Sequence, residues 1–237
     1  MSARLGLVCE TAAQAVKAAK ILLAGRTATG SVFDIDGTLL QLLAPSDAVA
    51  VGAQPGKVVA PLPEHFRFLR LAEEHGCKRV HMVTARPESA HNRATTRRDL
   101  GEVGVVPFSL GMMDPSKTRE TQLDAKTRLR GIARRYDGRR DDTQLLLNVG
   151  DRITDITDHE GIVHLCREAQ SSGAWFADTT TSTDDKTTAD GLREMIGRVM
   201  MHVYGCNMKK DAYVVMMGYD AHSMVQIKVP SWSNGLL

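Results

Sequence analysis

The sequence predicts an α/β protein built on a doubly wound parallel sheet. Apolar, β-branched runs typical of strands occur at 31–35, 78–84 and 143–150. The stretches between them carry apolar residues at helical spacing. Strands that are separated by helices pair in parallel, because each helical crossover returns the chain to the same edge of the sheet. Ligands of such sheets bind beyond the carboxyl ends of the strands, so the residues that follow each strand are the first candidates for chemistry.

Local patterns define the elements in the first third of the chain. The apolar stretch near the N-terminus is interrupted by charged and polar residues, which is typical of an amphipathic helix, and this helix is expected to end at Gly25. The run at 31–35 is rich in β-branched and aromatic residues and leads into a turn at Gly37. The segment 63–76 has apolar residues at helical spacing and ends in a glycine, which predicts a helix before the strand at 78–84.

The middle of the chain continues the alternation of helix and strand. A proline suits the first position of a helix, and we expect that helix at 87–101. A short strand is predicted at 103–110. An Asp-Pro pair at Asp114 is typical of a helix start, so the next helix is expected to run from there to about Tyr136. Two further strands are predicted, at 143–150 and 161–166.

The last part of the chain has a different composition. The run 178–188 is rich in threonine and aspartate and is of low complexity, which predicts a loop. A helix is expected near 190–204. Two short apolar runs, 212–217 and 223–229, are joined by a turn-like sequence and predict a β-hairpin.

Composition narrows the class of protein. Hydrophobic residues make up 43% and charged residues 24% of the chain, which is typical of soluble globular proteins. The net charge of +2 is too small to indicate a nucleic-acid or membrane partner by itself. No run of 18 apolar residues occurs, and the N-terminus lacks the pattern of a signal peptide. The cysteines form no C-x-x-C pair, so we expect a reduced, cytoplasmic protein.

Acidic and polar residues follow the predicted strands. Asp34 and Asp36 lie two apart after the first strand, so an extended chain aims both carboxylates to the same side. Asp151 and Asp155 follow the strand at 143–150. Oxygen-rich, carboxylate-dominated sites suit a hard cation such as Mg²⁺.

A second set of residues suits a phosphate group. The strand at 78–84 ends at Thr84 and is followed by Ala85 and Arg86, so a hydroxyl and backbone N–H groups there can donate to phosphate oxygens. A lysine is needed to balance the charge of a carboxylate and a phosphate held together. Lys126, on the helix before the strand at 143–150, is the favoured candidate, and Lys117 competes with it.

These segments together resemble a known family. The set F-D-I-D-G-T, then M-V-T-A-R, then a lysine, then N-V-G-D-R-I-T-D resembles the four motifs of the haloacid dehalogenase superfamily. The stretch P-L-P-E and the segment V-T-A-R-P-E resemble its class III acid phosphatases, relatives of the plant vegetative storage proteins. The resemblance covers roughly 30–166.

The resemblance implies roles for the matching residues. Asp34 is expected to attack phosphorus and form an aspartyl-phosphate, and Asp36 to protonate the leaving oxygen and then activate water. Thr84 and the adjoining backbone are expected to bind the phosphate, whereas Arg86 is either a substrate contact or a surface arginine. Lys126 is expected to steady Asp34 and the phosphate.

The resemblance also implies a metal site. Asp151 and Asp155 are expected to hold Mg²⁺, together with Asp34 and the backbone carbonyl of Asp36. Asp158 is an alternative to Asp155, although the four-residue step from Asp151 fits the motif better.

The function expected from these residues is Mg²⁺-dependent hydrolysis of a phosphomonoester of unknown size. A nucleotidase or a polynucleotide 3′-phosphatase is an alternative, and a non-catalytic storage or interaction protein on the same fold is another. A homo-oligomer is compatible with the sequence.

A basic run is typical of a solvated helix face and comprises Arg128, Arg130, Arg134, Arg135, Arg139 and Arg140. A nucleic-acid partner is not favoured, because only Tyr136 offers base stacking beside this run.

Chain length limits the domain organisation. Family members that enclose small substrates insert a cap domain, but 39–62 offers about 24 residues, enough for a flap and too few for a separate core. We therefore expect no large cap domain. The expected regions are an N-terminal helix in 1–29, a catalytic core in 30–170, and a loop, helix and hairpin packed on that core in 171–237.

Overall fold

The structure is a computed structural model, and it describes residues 5–43, 58–136, 144–164 and 213–230. The predicted loop at 178–188 and helix at 190–204 lie outside these ranges. The described strands are β1 Leu5–Cys9, β2 Gly30–Phe33, β3 Leu40–Leu43, β4 Val58–Pro61, β5 Arg79–Pro87, β6 Ser109–Met113, β7 Leu145–Gly150, β8 Tyr213–Met217 and β9 Ser223–Lys228. The labelled helices are α1 Ala12–Leu22, α2 Phe66–Glu74, α3 Ala90–Glu102, α4 Gln122–Tyr136 and α5 Ile153–Ile156.

A mostly parallel sheet of seven strands forms the centre of the fold. Its strand order is β1-β8-β9-β7-β2-β5-β6. The five strands from β9 to β6 all run in parallel, whereas β8 is antiparallel to both of its neighbours. The predicted α/β class with a mostly parallel sheet is therefore confirmed.

Helices cover both faces of this sheet. On one face α1, α2 and α3 bury residues such as Ala15, Phe68 and Leu100 in a core that also contains Phe33 of β2. On the other face, Leu129 and Ala133 of α4 pack against Val32 of the same strand. Successive residues of a strand point to opposite faces, so β2 contributes to both cores and lies at the centre of the molecule.

The C-terminal hairpin belongs to the main sheet. We expected β8 and β9 as an extension packed on the core, but β9 pairs in parallel with β7 over Leu145–Gly150. β1 then pairs with β8 and extends the sheet by one more strand. The local sequence pattern gave the two hairpin strands but not their partner, because pairing between strands distant in sequence leaves no local signal.

The N-terminal segment corrects a second expectation. A helix alone was predicted there, but the chain first forms β1, and α1 begins only at Ala12. A capping box fixes this start: the Thr11 hydroxyl accepts from the Gln14 N–H, and the Gln14 side chain accepts from the Thr11 N–H. The apolar residues before Thr11 are therefore free to pair with β8.

Two caps correct predictions later in the chain. The strand predicted at 161–166 is wrong for its described part, because 159–164 is helical. Asp158 accepts from the N–H of Gly161 through its side chain and from Ile162 through its backbone, so it starts a helical turn. The helix predicted from Asp114 begins instead at Gln122, where the Thr121 hydroxyl accepts from the N–H of the third residue beyond it.

The region between β5 and β6 differs by a few residues from the prediction. β5 continues to Pro87, so α3 starts at Ala90, with the Ser89 side chain accepting from the N–H three residues on. Gly104 has a φ of +77°, which is the left-handed conformation common after helix ends. The strand predicted at 103–110 consequently starts only at Ser109.

A small second sheet follows β2. β3 and β4 pair antiparallel, and residues 44–57 between them lie outside the described part. Among the described helices, none combines the length and the apolar character that are required to cross a bilayer.

Candidate active site

The candidate site lies where three neighbouring parallel strands end. Asp34 directly follows β2, and its N–H donates to the carbonyl of Val149 in β7 at 2.8 Å. Asp151 directly follows β7, and Thr84 lies near the end of β5 on the other side of β2. The carboxyl ends of parallel strands share one edge of the sheet, so the fold gathers residues that are far apart in sequence.

Asp34 lies within a buried group that we call the lysine cluster: Asp34, Lys126, Asp151 and Asp155. One oxygen from each of the three carboxylates lies within 4.8 Å of the other two. The Lys126 Nζ is 2.7 Å from Asp34 Oδ1 and also contacts Asp155 Oδ1. The hydroxyl of Thr38 donates to Asp34 Oδ2 at 3.1 Å. Both carboxylate oxygens of Asp34 are therefore held by donors.

Charge and burial conflict in the lysine cluster. Burial raises the pKa of Asp34 well above its ordinary value, the Asp155 carboxylate raises it further, and the Lys126 ammonium opposes both effects. Burial alone would lower the pKa of Lys126, but the carboxylates of Asp34 and Asp155 raise it above its ordinary value, so Lys126 stays an ammonium. Within the lysine cluster, the one ammonium contacts two of the three carboxylates.

The lysine cluster fits a hard divalent cation. By formal charge, the three carboxylates and the one ammonium of the cluster sum to −2. The donors are all carboxylate oxygens, which Mg²⁺ prefers. Two glycines bring the backbone close to these groups: a Cβ on Gly37 would lie 2.6 Å from Asp151 Oδ2, and one on Gly150 would lie 2.2 Å from Asp155 Cβ. The residues present therefore suit Mg²⁺ in charge and in chemistry.

A second group, which we call the arginine cluster, lies beside the first: Asp36, Thr84, Arg86, Thr96 and Asp99. Arg86 binds Asp36 in a bidentate pair, with Nε 2.9 Å from Oδ2 and Nη2 2.7 Å from Oδ1. Thr84 donates to Asp36 Oδ2 at 3.3 Å and accepts from the Arg86 N–H at 3.2 Å. The predicted acid and two predicted phosphate-binding residues thus bind one another in this structure.

The other end of Arg86 anchors it to α3. Its Nη1 donates to Thr96 Oγ1 at 3.0 Å and to Asp99 Oδ2 at 3.1 Å. Both partners are buried, whereas the Asp36 side chain is 43% exposed. Ala85 lies between Thr84 and Arg86, where the pairing of β5 with β6 is irregular, so this part of the strand bulges out of the regular ladder.

The competing candidate residues lie in different places in the structure. Lys126 contacts Asp34, whereas Lys117 is exposed in the turn before α4. Asp155 belongs to the lysine cluster. The Asp158 carboxylate instead accepts from the N–H groups of Gly161 and Ala221, so it links the helical turn at 159–164 to the turn between β8 and β9.

The basic run on α4 does not form one solvated face. Arg130 is completely buried, and Arg128 pairs with Glu120. The expectation of a solvated helix face is therefore wrong for Arg130. Arg135 is exposed, as expected, and Arg139 and Arg140 lie outside the described part.

Sequence reasoning gave no role to several residues that support the site. Thr38 belongs to the D-x-D-G-T segment, but only the structure shows its hydroxyl on Asp34. The carbonyl of Thr38 in turn lies 2.5 Å from Nδ1 of the buried His65. Asp99 and Arg130 lie on helices among other charged residues, and their spacing carries no signal that would separate them from surface charges.

Comparisons with known proteins add no family to this description. A scan against protein-family models found none that matches the chain, and a search of curated proteins found no match. Fold and site define the chain as an α/β protein with a mostly parallel sheet and a buried cluster of carboxylates and one lysine at its carboxyl edge.

Proposed function

We propose that this protein is a Mg²⁺-dependent phosphomonoesterase of the haloacid dehalogenase type, with Asp34 as the nucleophile. One observation carries the proposal. The buried carboxylate of Asp34, at the carboxyl end of β2, contacts the ammonium of Lys126, and two more carboxylates lie in the same cluster. A stable protein gains little from burying three like charges, so such a cluster indicates a functional site.

The proposed reaction has two steps. In the first, a carboxylate oxygen of Asp34 attacks phosphorus, the phosphorus–oxygen bond of the ester breaks, and the leaving oxygen takes a proton from Asp36. In the second, water attacks phosphorus while Asp36 accepts its proton, and the bond to Asp34 breaks to release inorganic phosphate. A carboxylate nucleophile divides one difficult displacement into two easier ones.

Lys126 and Thr38 prepare the nucleophile. Lys126 lies 2.7 Å from one oxygen of Asp34, and Thr38 lies 3.1 Å from the other, so the carboxylate is held in one orientation. The same ammonium offsets the negative charge that a phosphoryl group brings to the site. Mg²⁺, held by Asp34, Asp151 and Asp155, would supply further charge neutralisation for the phosphoryl oxygens.

The arginine cluster supplies the phosphate contacts. In the free protein Arg86 and Thr84 bind Asp36. A phosphoryl group competes for these donors, because charge-assisted hydrogen bonds from arginine favour phosphate as well as carboxylate. When Arg86 and Thr84 bind the phosphate instead, they release the Asp36 carboxyl group, which is then free to exchange a proton with the leaving group and with water.

A panel assay tests this function. Purified protein with Mg²⁺ is incubated with sugar phosphates, nucleotides, phosphopeptides and 3′-phosphorylated DNA, and the released phosphate is measured. Acid quenching followed by mass spectrometry is expected to show one phosphoryl group on Asp34. Release of phosphate without any labelled Asp34 would contradict the covalent route, and no release from any substrate would favour the non-catalytic alternative. Release from phosphorylated DNA alone would favour the polynucleotide phosphatase.

A further inference from the structure

Arg130 is a buried cation behind the lysine cluster. Its Nη1 donates to the carbonyl of Asp155 at 2.9 Å and to that of Thr154 at 3.3 Å. Its Nη2 donates to the carbonyl of Thr157 and, at 3.2 Å, to the hydroxyl of Thr127. One guanidinium thus binds three carbonyls of the short segment 154–157.

This segment needs an outside partner to hold its shape. α5 has only four residues, so most of its carbonyls lack a donor within the helix. A positive charge at the carboxyl end of a helix is favourable, because the unpaired carbonyls there carry partial negative charge. Arg130 therefore supplies both the donors and the charge that a single helical turn requires.

The turn between β8 and β9 supplies the counter-charge. The Asp220 Oδ2 lies 3.3 Å from the Arg130 Nε, and both side chains are completely buried. The amide of Asn148 in β7 donates to the same oxygen of Asp220 at 3.4 Å. A buried guanidinium without a counter-charge would strongly destabilise the folded protein, so the Asp220 carboxylate stabilises Arg130 in this position.

Two cations of α4 hold the two ends of Asp155. Lys126 and Arg130 are four residues apart, so they lie on the same face of the helix. Lys126 contacts the Asp155 carboxylate, and Arg130 binds the Asp155 carbonyl. The second carboxylate oxygen accepts from the N–H of Arg152 at 2.8 Å. Among the described residues, the bonds that orient Asp155 therefore come from α4 and from the adjoining backbone.

We propose that Arg130, together with Asp220, is a positioning residue that fixes the carboxylate of Asp155 for binding a divalent cation. The proposal rests on the proposed function, since it assigns Asp155 to the metal site. It makes the C-terminal hairpin part of that site, although the hairpin supplies no ligand. Partners behind a metal ligand typically change metal affinity by about 10–100-fold when they are replaced.

The substitution Arg130→Lys tests the proposal. It keeps the charge but cannot bind three carbonyls with one planar fork. We expect Mg²⁺ affinity, measured by titration calorimetry on EDTA-dialysed protein, to weaken by at least about tenfold. At saturating Mg²⁺ the substrate KM is expected to stay within about twofold of wild type, because no phosphate contact changes. Arg135→Lys, on the exposed face of the same helix, is the matched control and is expected to leave both values unchanged.

Asp220→Asn provides a second variant that does not alter α4. It removes the counter-charge, and we expect it to weaken Mg²⁺ binding in the same direction. If the two residues act as one unit, the double variant should be less affected than the sum of the single effects, because neighbours that share a network are not additive. Hydrogen exchange gives a readout without metal: the N–H groups of Asp155 and Thr157 should exchange faster in both variants.

The outcomes separate the inference from the proposed function. If wild type binds Mg²⁺ and hydrolyses a phosphomonoester but Arg130→Lys and Asp220→Asn bind Mg²⁺ equally well, the positioning role is wrong and the function stands. A loss of thermal stability without a change in Mg²⁺ affinity also overturns it, since that describes a purely structural pair. If wild type itself binds no divalent cation, the metal site and this inference fail together.

Discussion

The two clusters of the candidate site hold their charges in different ways. In the lysine cluster the side chains of Lys126 and Asp34 are each 4% exposed, and the lysine bridges two carboxylates. In the arginine cluster the Asp36 side chain is 43% exposed, and one guanidinium pairs with a carboxylate at each end. The carboxyl edge of the sheet thus carries two kinds of charged cluster. The lysine cluster is buried and has more carboxylates than ammonium groups, whereas the arginine cluster is partly exposed and its guanidinium is paired with two carboxylates.

This difference indicates which cluster moves during the proposed reaction. Charges in a dry environment interact strongly, so the lysine cluster is expected to keep its arrangement and to respond mainly to a cation. Partly exposed ion pairs contribute little to stability, because water and salt compete for the same groups. The pair between Arg86 and Asp36 is therefore expected to open when a phosphate offers Arg86 an equivalent bidentate partner.

The largest effect is expected from Asp34→Asn. The amide cannot serve as the attacking group, so kcat should fall by at least about 10³-fold. Phosphate release at saturating substrate measures this, and circular dichroism checks that the fold is retained. If this variant keeps more than a few per cent of wild-type activity, Asp34 is not the nucleophile. The lysine cluster would then lose the catalytic role that distinguishes it from the arginine cluster.

Removal of the metal is expected to have an effect nearly as large. EDTA should abolish phosphate release, because the net negative charge of the lysine cluster would then repel the phosphate. Added Mg²⁺ should restore release, and Asp151→Asn should raise the Mg²⁺ concentration needed for half-maximal activity. Full activity in metal-free buffer would contradict the assignment of the carboxylates to a metal site.

The lysine of the first cluster is tested by a matched pair of substitutions. Lys126→Ala is expected to lower kcat by roughly 10²–10³-fold, which is typical for removal of one preorganised charge from an active site. Lys117→Ala should stay within about twofold of wild type, because Lys117 is exposed and outside both clusters. The reverse result would move the charge-balancing role to Lys117.

The same lysines show how far the sequence could predict the site. Asp34 and Asp151 could be found because each directly follows an apolar strand, and Asp36 and Asp155 lie a few residues further on. Parallel strands bring their carboxyl ends together. The sequence favours Lys126 over Lys117 but does not decide between them, because the interval from Lys126 to Asp151 is longer than the resemblance implies. Since α4 begins at Gln122, only Lys126 lies within the helix, where it reaches Asp34.

Other parts could not be predicted for a physical reason. Arg130 and Asp220 come from segments far apart in the chain, and they meet only because β9 inserts beside β7. That insertion depends on long-range strand pairing. The helical turn at 159–164 is an apolar run whose periodicity does not separate helix from strand, and the cap at Asp158 decides it.

The arginine cluster is expected to respond more weakly and in a different kinetic constant. Arg86→Lys removes the bidentate fork, so KM should rise by roughly tenfold, the scale of one lost charge-assisted hydrogen bond. kcat should fall less than in Lys126→Ala. Arg97→Lys is the matched control on α3, since Arg97 is exposed and lies outside the arginine cluster. A fall in kcat with an unchanged KM would mean that Arg86 acts on Asp36 and not on the substrate.

The smallest effect is expected for His65, which lies behind the lysine cluster, and it concerns the pH dependence of stability. His65 is buried, and its Nδ1 lies 2.5 Å from the carbonyl of Thr38, whose hydroxyl holds Asp34. Burial lowers the pKa of His65 below its ordinary value of 6.5, while the bond to the Thr38 carbonyl and the nearby Glu64 oppose this. The ring is therefore neutral in the folded protein near pH 7.

The sign of the pH effect follows from proton linkage. Between the lowered pKa of His65 and 6.5, the unfolded chain binds more protons than the folded protein, so stability falls as the pH drops through this window. His65→Asn keeps a donor for the Thr38 carbonyl but cannot titrate. Below pH 6.5 its unfolding free energy should therefore depend less steeply on pH than that of wild type. The two slopes should differ by at most the effect of one proton, which is about 1.4 kcal/mol per pH unit. Urea unfolding at pH 5 and 7.5 measures this, with exposed His91→Asn as the control. If the unfolding free energy depends on pH equally in His65→Asn and His91→Asn, burial does not lower the pKa of His65.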